Sequence, residues 1–265
     1  MHTAGPEPTD QRRWRYLPWL ALLISLLLLL ALFRFSQVTG FLGNALVKDP
    51  ERAIPAGNVV VAPADGTVLY VREIRDGIIP QVVKQGVSVP VFQHLKFSPI
   101  RPVRHAYLIG IYMSTQGVHI NRAPLAGEVV GRHVFNGPHM DMTATETTVI
   151  LTQMIPGWIE LKKWLGLAPF AIEQDADYIL KSARDVIAIR DSRDRFSYLV
   201  RIADYSIGRI LTWVVPGQQL ATGERLGMIT WGSQTDLLIE SSPGMSIEID
   251  AGDQVRGGES VLARY

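Results

Sequence analysis

The sequence predicts a mainly β fold, and three features of its 265 residues carry that expectation. Short Val/Ile-rich runs punctuated by Gly and Pro fill most of the chain beyond residue 58, the pattern of strands separated by turns. A Gly-turn motif occurs twice near the C-terminus. An uncharged apolar run near the N-terminus stands apart from everything that follows.

That run, Tyr16–Phe33, lies within "RRWRYLPWLALLISLLLLLALFRFS". As a helix, at about 1.5 Å per residue, it reaches about 27 Å, close to the thickness of a bilayer core. Trp14, Tyr16 and Trp19 sit at one end, where amphipathic rings favour the headgroup level. A signal peptide would finish in small residues at a cleavage site, whereas Arg34 and Phe35 continue directly. Residues 1–35 therefore read as a retained membrane anchor. Arg12, Arg13 and Arg15 precede the span and Arg34, Lys48 and Arg52 follow it, a weak bias toward a cytoplasmic N-terminus.

Residues 36–57 read as a linker and 58–265 as one β domain. The runs "NVVVAPADGTVLYVRE", "GEVVGRHVF", "TTVILTQM", "DVIAIRD", "YLVRIAD" and "RILTWVV" read as strands. The exception is a short helical insertion at about 156–184, "PGWIELKKWLGLAPFAIEQDADYILKSAR". There Trp158, Ile159, Leu161, Trp164, Leu165 and Leu167 fall at helix-like spacing beside Lys162 and Lys163. Such a helix either caps the core, the preferred reading, or lies on a membrane surface.

Two weak internal repeats complete the pattern. "GQQLATGERL" (217–226) matches "GDQVRGGESV" (252–261), and "PADGTV" (63–68) matches "PLAGEV" (124–129). Hairpins of this form resemble the barrel-sandwich fold of lipoyl and biotinyl carrier domains. Those carriers place a modified lysine between the repeats, but residues 227–251 contain no lysine and offer "WGSQTD" instead.

Composition excludes several classes. Apolar residues at 47% against 19% charged rule out a disordered chain, and a net charge of +1 gives no basis for nucleic-acid binding. The absence of cysteine removes disulfides, thiolate nucleophiles and Cys-ligated metals. No H-E-x-x-H, G-x-S-x-G, P-loop or G-x-G-x-x-G occurs, and the six histidines have no compact metal-ligand spacing, so no metal is expected. Taken singly, Asp65 reads as a turn residue, His119 as a structural histidine and Gly232–Ser233 as a strand bulge.

In order along the chain, "KDPERAIP", "VVVAPADGTV", "VHINRAPLAGEV" and "IADYSIGRILTWVVPGQQLATGERLGMITWGSQTDLLI" resemble the pyruvoyl-dependent phosphatidylserine decarboxylases, closest to their shorter bacterial and archaeal branch. The resemblance runs from about Lys48 to the C-terminus. It departs at Gly117, where the family often has Asp or Asn, and at Arg122, where some members carry a second histidine.

The resemblance implies that the chain cleaves itself between Gly232 and Ser233. Ser233 Oγ would attack the Gly232 carbonyl, with His119 as base and Asp65 orienting it. Elimination from the resulting ester frees Gly232 as a carboxylate and leaves a dehydroalanine at 233, which rearranges to an imine and hydrolyses, losing ammonia, so that Ser233 becomes the pyruvoyl cofactor. The products are a β chain of residues 1–232 and an α chain of residues 233–265. The catalytic set is then Ser233, His119 and Asp65. The ketone forms a Schiff base with the amine of a phospholipid substrate, and loss of CO₂ gives phosphatidylethanolamine.

The implied partners are the phospholipid, the membrane and the sister chain of the same precursor, with room for a homo-oligomer. The implied location is the inner cell membrane with the catalytic domain on the cytoplasmic face, against the arginine bias. One rival is a non-enzymatic membrane-fusion or adaptor protein with a lipoyl-like barrel, but no sustained heptads accompany it. Another is an anchored zinc endopeptidase, which needs a His-x-His that the chain lacks.

Overall fold

A computed structural model describes residues 11–39, 48–83, 87–113, 117–138, 142–167, 170, 180–203, 210–229 and 233–265. The chain opens with α1 (Gln11–Thr39), followed by β1 (Val59–Val61), β2 (Gly66–Arg75), β3 (Ile78–Val83), β4 (Val87–Pro90), α2 (Val91–Leu95), β5 (His105–Met113), β6 (Ile120–Arg122) and β7 (Gly127–Phe135). Two helices follow, α3 (Thr143–Met154) and α4 (Trp158–Trp164). The rest is β: β8 (Arg184–Arg190), β9 (Phe196–Ala203), β10 (Ile210–Thr212), β11 (Gln219–Leu220), β12 (Arg225–Ile229), β13 (Ser233–Glu240), β14 (Ser246–Ile247), β15 (Gln254–Val255) and β16 (Val261–Arg264). The chain is mainly β with few helices, as its Val/Ile-rich runs predict.

The large sheet has the order β11-β7-β8-β9-β13-β5-β2-β3-β4, with β15 paired to β2. β13 lies at its centre, antiparallel to both β5 and β9. Because strand side chains alternate, β13 feeds two cores. Leu237 and Ile239 pack with Ile109, Ile111, Met113 and Leu199 on one face. Leu238 packs with Leu108, Tyr112, Tyr198 and Val200 on the other. A strand buried on both faces reads as a continuous apolar run, and "LLIE" does so.

The two sequence repeats do not pair with each other, as adjoining hairpins would. Each pairs with one copy of the other repeat: Leu220 opposes Gly127 of "PLAGEV", and Val255 opposes Gly66 of "PADGTV". The backbone bonds correspond closely. Val61 N donates to Pro124 O and Arg122 N to Pro63 O, both at 2.8 Å; Val68 N donates to Asp253 O and Val129 N to Gln218 O, both at 2.9 Å. Two β units thus face each other about a local two-fold. Glycine is required at the crossings, since a Cβ on Gly66 would lie 2.1 Å from Tyr112 O and one on Gly127 2.5 Å from Arg190 O.

One local expectation needs correction. "TTVILTQM" is not a strand but most of α3. Its β-branched residues fall at helical spacing, with Thr145, Val149 and Thr152 buried, and the hydroxyls of Thr148 and Thr152 bond back to the carbonyls of Ala144 and Thr148. α3 therefore caps the core, and the expected capping segment also reaches it, through the partly buried Ile159 of α4 and the buried Phe170. α1 carries the one segment long and apolar enough to cross a membrane among the described residues, Tyr16–Phe35, and none of it is buried.

Candidate active site

Ser233 is the first residue of β13, opposite Met113 on one side and Ala203 on the other. Gly232 lies outside the described residues. Tyr112, the neighbour of Met113, lines a cleft of about 630 Å³ together with Asp65, Thr67, Gly117, Gln153 and Arg256. Ala203 lines a smaller cavity of about 270 Å³ with Arg132, Arg184 and Ile210.

His119 stands just before β6. Ile229 N donates to its carbonyl at 3.2 Å and Met228 pairs with Ile120, so β12, the strand leading toward Gly232–Ser233, runs directly beside it. The next inward residue of β6, Asn121, donates to Thr235 Oγ1 at 3.2 Å. β6 is thereby tied to β13, the strand that begins at Ser233. The same glycine logic applies to β12. A Cβ on Gly227 would strike Leu211 O and the guanidinium of Arg201.

The His119 side chain is fully buried. Its Nδ1 lies 2.7 Å from Gly117 O, which makes Nδ1 the protonated nitrogen. Nε2 is then the nitrogen with the free lone pair, and it is buried with no hydrogen-bond partner among the described residues. Burial pushes the His119 pKa down, opposed by the Gly117 carbonyl and by the charge of Asp65. The ring is neutral at neutral pH and can accept a proton at Nε2.

Asp65 acts on that ring through space rather than through a hydrogen bond. Its carboxylate accepts from Arg52 at 3.0 and 2.9 Å and from Gly257 N at 2.7 Å. His119 Nδ1 makes its hydrogen bond to the Gly117 carbonyl, with the Asp65 charge acting on the same ring. Arg122, beside His119, donates to Asp49 and Gly223 O, and Arg225 pairs with Asp49 as well. Asp49 and Arg52, both within "KDPERAIP", thus pin the linker against the site.

Sequence reasoning missed these two residues, and it also missed a buried polar cluster on the opposite face of β13. Asp236 accepts from Tyr70 OH at 2.8 Å and Gln234 Nε2 at 2.6 Å, and His94 Nε2 lies 2.9 Å from it. The Tyr70 ring crosses Gly110, where a Cβ would meet it at 2.4 Å. Burial also pushes His94 down, with Asp236 opposing. Among the described residues no group of three or more His, Asp or Glu is placed to hold a metal.

Both buried histidines link stability to pH. Each has a folded pKa below the ordinary 6.5, so the unfolded chain binds their protons more readily. Their contribution is intact above pH 6.5 and declines as the pH falls below it. Chemical denaturation between pH 7.5 and 5 should show stability falling by up to about 1.4 kcal/mol per pH unit per histidine. A profile flat across that window would contradict the burial of two neutral imidazoles.

Residues 45–263 match the family described as phosphatidylserine decarboxylase. Relatives include phosphatidylserine decarboxylase proenzymes of Nitrosomonas eutropha, 26% identical over 219 residues, and of Symbiobacterium thermophilum, 29% identical over 218; each match covers 82% of this chain and 76% of the relative. That of Geobacter metallireducens is 27% identical over 216 residues, covering 81% of this chain and 73% of its own. With most of its length matched to that one family, the chain belongs to the phosphatidylserine decarboxylase family.

Proposed function

We propose that this chain is a self-processing proenzyme that matures at Gly232–Ser233 and then decarboxylates phosphatidylserine to phosphatidylethanolamine. The observation that carries the reading is the buried, unpartnered Nε2 of His119, held in its basic tautomer by Gly117 beside the strand that leads into Ser233. An orphaned buried nitrogen is costly unless it has chemical work. Here it takes the Ser233 hydroxyl proton as Oγ attacks the Gly232 carbonyl. Asp65, fixed by Arg52 and the Gly257 amide, favours the imidazolium that results.

The same environment fits a pyruvoyl group at position 233, whose ketone supplies an electron sink for the carboxylate-bearing carbon of an amino acid headgroup. His119, protonated during turnover, is placed to return a proton to that carbon. The cleft of about 630 Å³ receives the headgroup, with Arg34 and Arg256 in its wall as cations for the phosphodiester. The facing β units support a barrel-sandwich relation to lipoyl-type domains. The α1 span supports retention at the inner membrane, where the substrate resides, with the β domain on the cytoplasmic face.

The test uses vesicles of phosphatidylserine labelled at the serine carboxyl. The full chain should release labelled CO₂ and form phosphatidylethanolamine. A chain lacking residues 1–35 should still mature and should act on detergent-dispersed lipid, while losing most of its turnover on vesicles. Equal loss on both substrates would show that α1 supports the fold rather than delivery, and no release by the matured full chain would overturn the substrate assignment.

A further inference from the structure

A second membrane contact is written into the segment between Ile155 and Leu167. No residue of α4 is fully buried: Ile159 rests partly buried against the core and lines the cleft, while Trp164 is 81% exposed and Leu165, just beyond the helix, 54%. Ile155, Leu161 and Leu167 extend the same exposed surface. Contiguous exposed apolar surface of this kind marks an interaction site. Lys162 and Lys163 interrupt it, and the Lys162 ammonium lies 5.8 Å from the Trp158 ring centre.

Position says what covers this surface. Pro156, Gly157, Trp158, Ile159 and Glu160 form one wall of the large cleft, and Arg34 contributes to the same cleft. Arg34 ends the Tyr16–Phe35 apolar span, and α1 packs on α3, the helix leading into this segment. If the span crosses a bilayer, Arg34 lies at headgroup depth, and the cleft wall lies at that depth with it. Two copies packed through this face would bring like lysines together, whereas an anionic lipid surface complements them. Trp and Leu interleaved with lysines is the composition of an interfacial segment.

We propose that α4 and its flanking loops, residues 155–167, seat in the headgroup layer of an anionic phospholipid bilayer, so that the cleft opens directly onto the lipid surface. This rests on the reading of α1 as an anchor and deepens the proposed delivery of a lipid substrate. The bilayer supplies its own substrate laterally, and the anchored chain need not lift a lipid through water.

Because the chain has no cysteine, single probes can be placed without background. Leu165→Cys and Arg193→Cys, the latter in the exposed turn at the far end of the sheet from Ser233, would each carry an environment-sensitive fluorophore. The full chain is then reconstituted in vesicles of phosphatidylserine and phosphatidylcholine. The probe at 165 should shift to the blue and be quenched by nitroxide-labelled lipid, and the probe at 193 should do neither. This readout is independent of turnover, so it stands or falls apart from the decarboxylase reading. A water-exposed probe at 165 on vesicle-bound protein would overturn the proposal. So would a blue-shifted probe that lipid nitroxides do not quench, because another protein surface would then cover the face. Trp164→Asp with Leu165→Asp should lower vesicle turnover by at least about tenfold, since losing even one of the two apolar burials is of that size. Self-cleavage and turnover of dispersed substrate should stay at wild-type rates, and unchanged vesicle turnover would count equally against the seat.

Discussion

Ser233→Ala is expected to leave the chain whole and abolish decarboxylation. The substitution removes the oxygen proposed to attack the Gly232 carbonyl, and with it the source of the ketone. The change is small, and the backbone of position 233 is held by Met113 and Ala203 on either side, so the fold should persist. Denaturing electrophoresis should show one full-length band where the wild type shows two. Ser233→Cys keeps a nucleophile and should still break the bond. Cleavage of the Ser233→Ala chain at the same place would assign the chemistry to another group.

His119→Gln should be nearly as severe for maturation. Glutamine fits the site and can still bond Gly117 O, but it offers no basic lone pair where Nε2 stands. Loss of a general base typically costs 10²–10⁴-fold, so self-cleavage measured by time-resolved electrophoresis should slow by about that factor. The same variant should lose part of the acid-induced destabilisation, because one of the two buried imidazoles has gone. Wild-type maturation should hold its rate below pH 6.5 and fall only at lower pH, since burial keeps His119 neutral there. Asp65→Asn should slow maturation less, because Gly117 still holds the ring.

Much of this was legible in the sequence, and what was not has identifiable causes. Alternation and Gly/Pro punctuation located β7, β8 and β9 closely: β8 and β9 are buried strands, and β7 is a half-exposed one that starts at Gly127. The Thr-rich start of α3 misled, since β propensity reports fit to a pleated surface and helical burial of Thr145, Val149 and Thr152 overrode it. The two repeats were visible as text, but their pairing was not, because which strands meet is a long-range choice. That pairing also explains Asp65: its counterpart in the second unit is Ala126, so the acid is an addition to a shared turn. Arg52 and Asp49 sat in a quoted motif with no assigned role, since an ion pair across the linker leaves no periodic trace. The cluster of Tyr70, His94, Gln234 and Asp236 gathers three separate segments and was beyond any local reading.

Intact-mass analysis of the purified full chain tests the central claim most directly. The account predicts two species that together span the sequence, one ending at Gly232 and one beginning at position 233. The smaller should lack a free amine and carry a pyruvoyl group in place of its serine. A single uncleaved chain that nevertheless decarboxylates phosphatidylserine at full rate would contradict the account, and so would a small fragment that retains an unmodified Ser233.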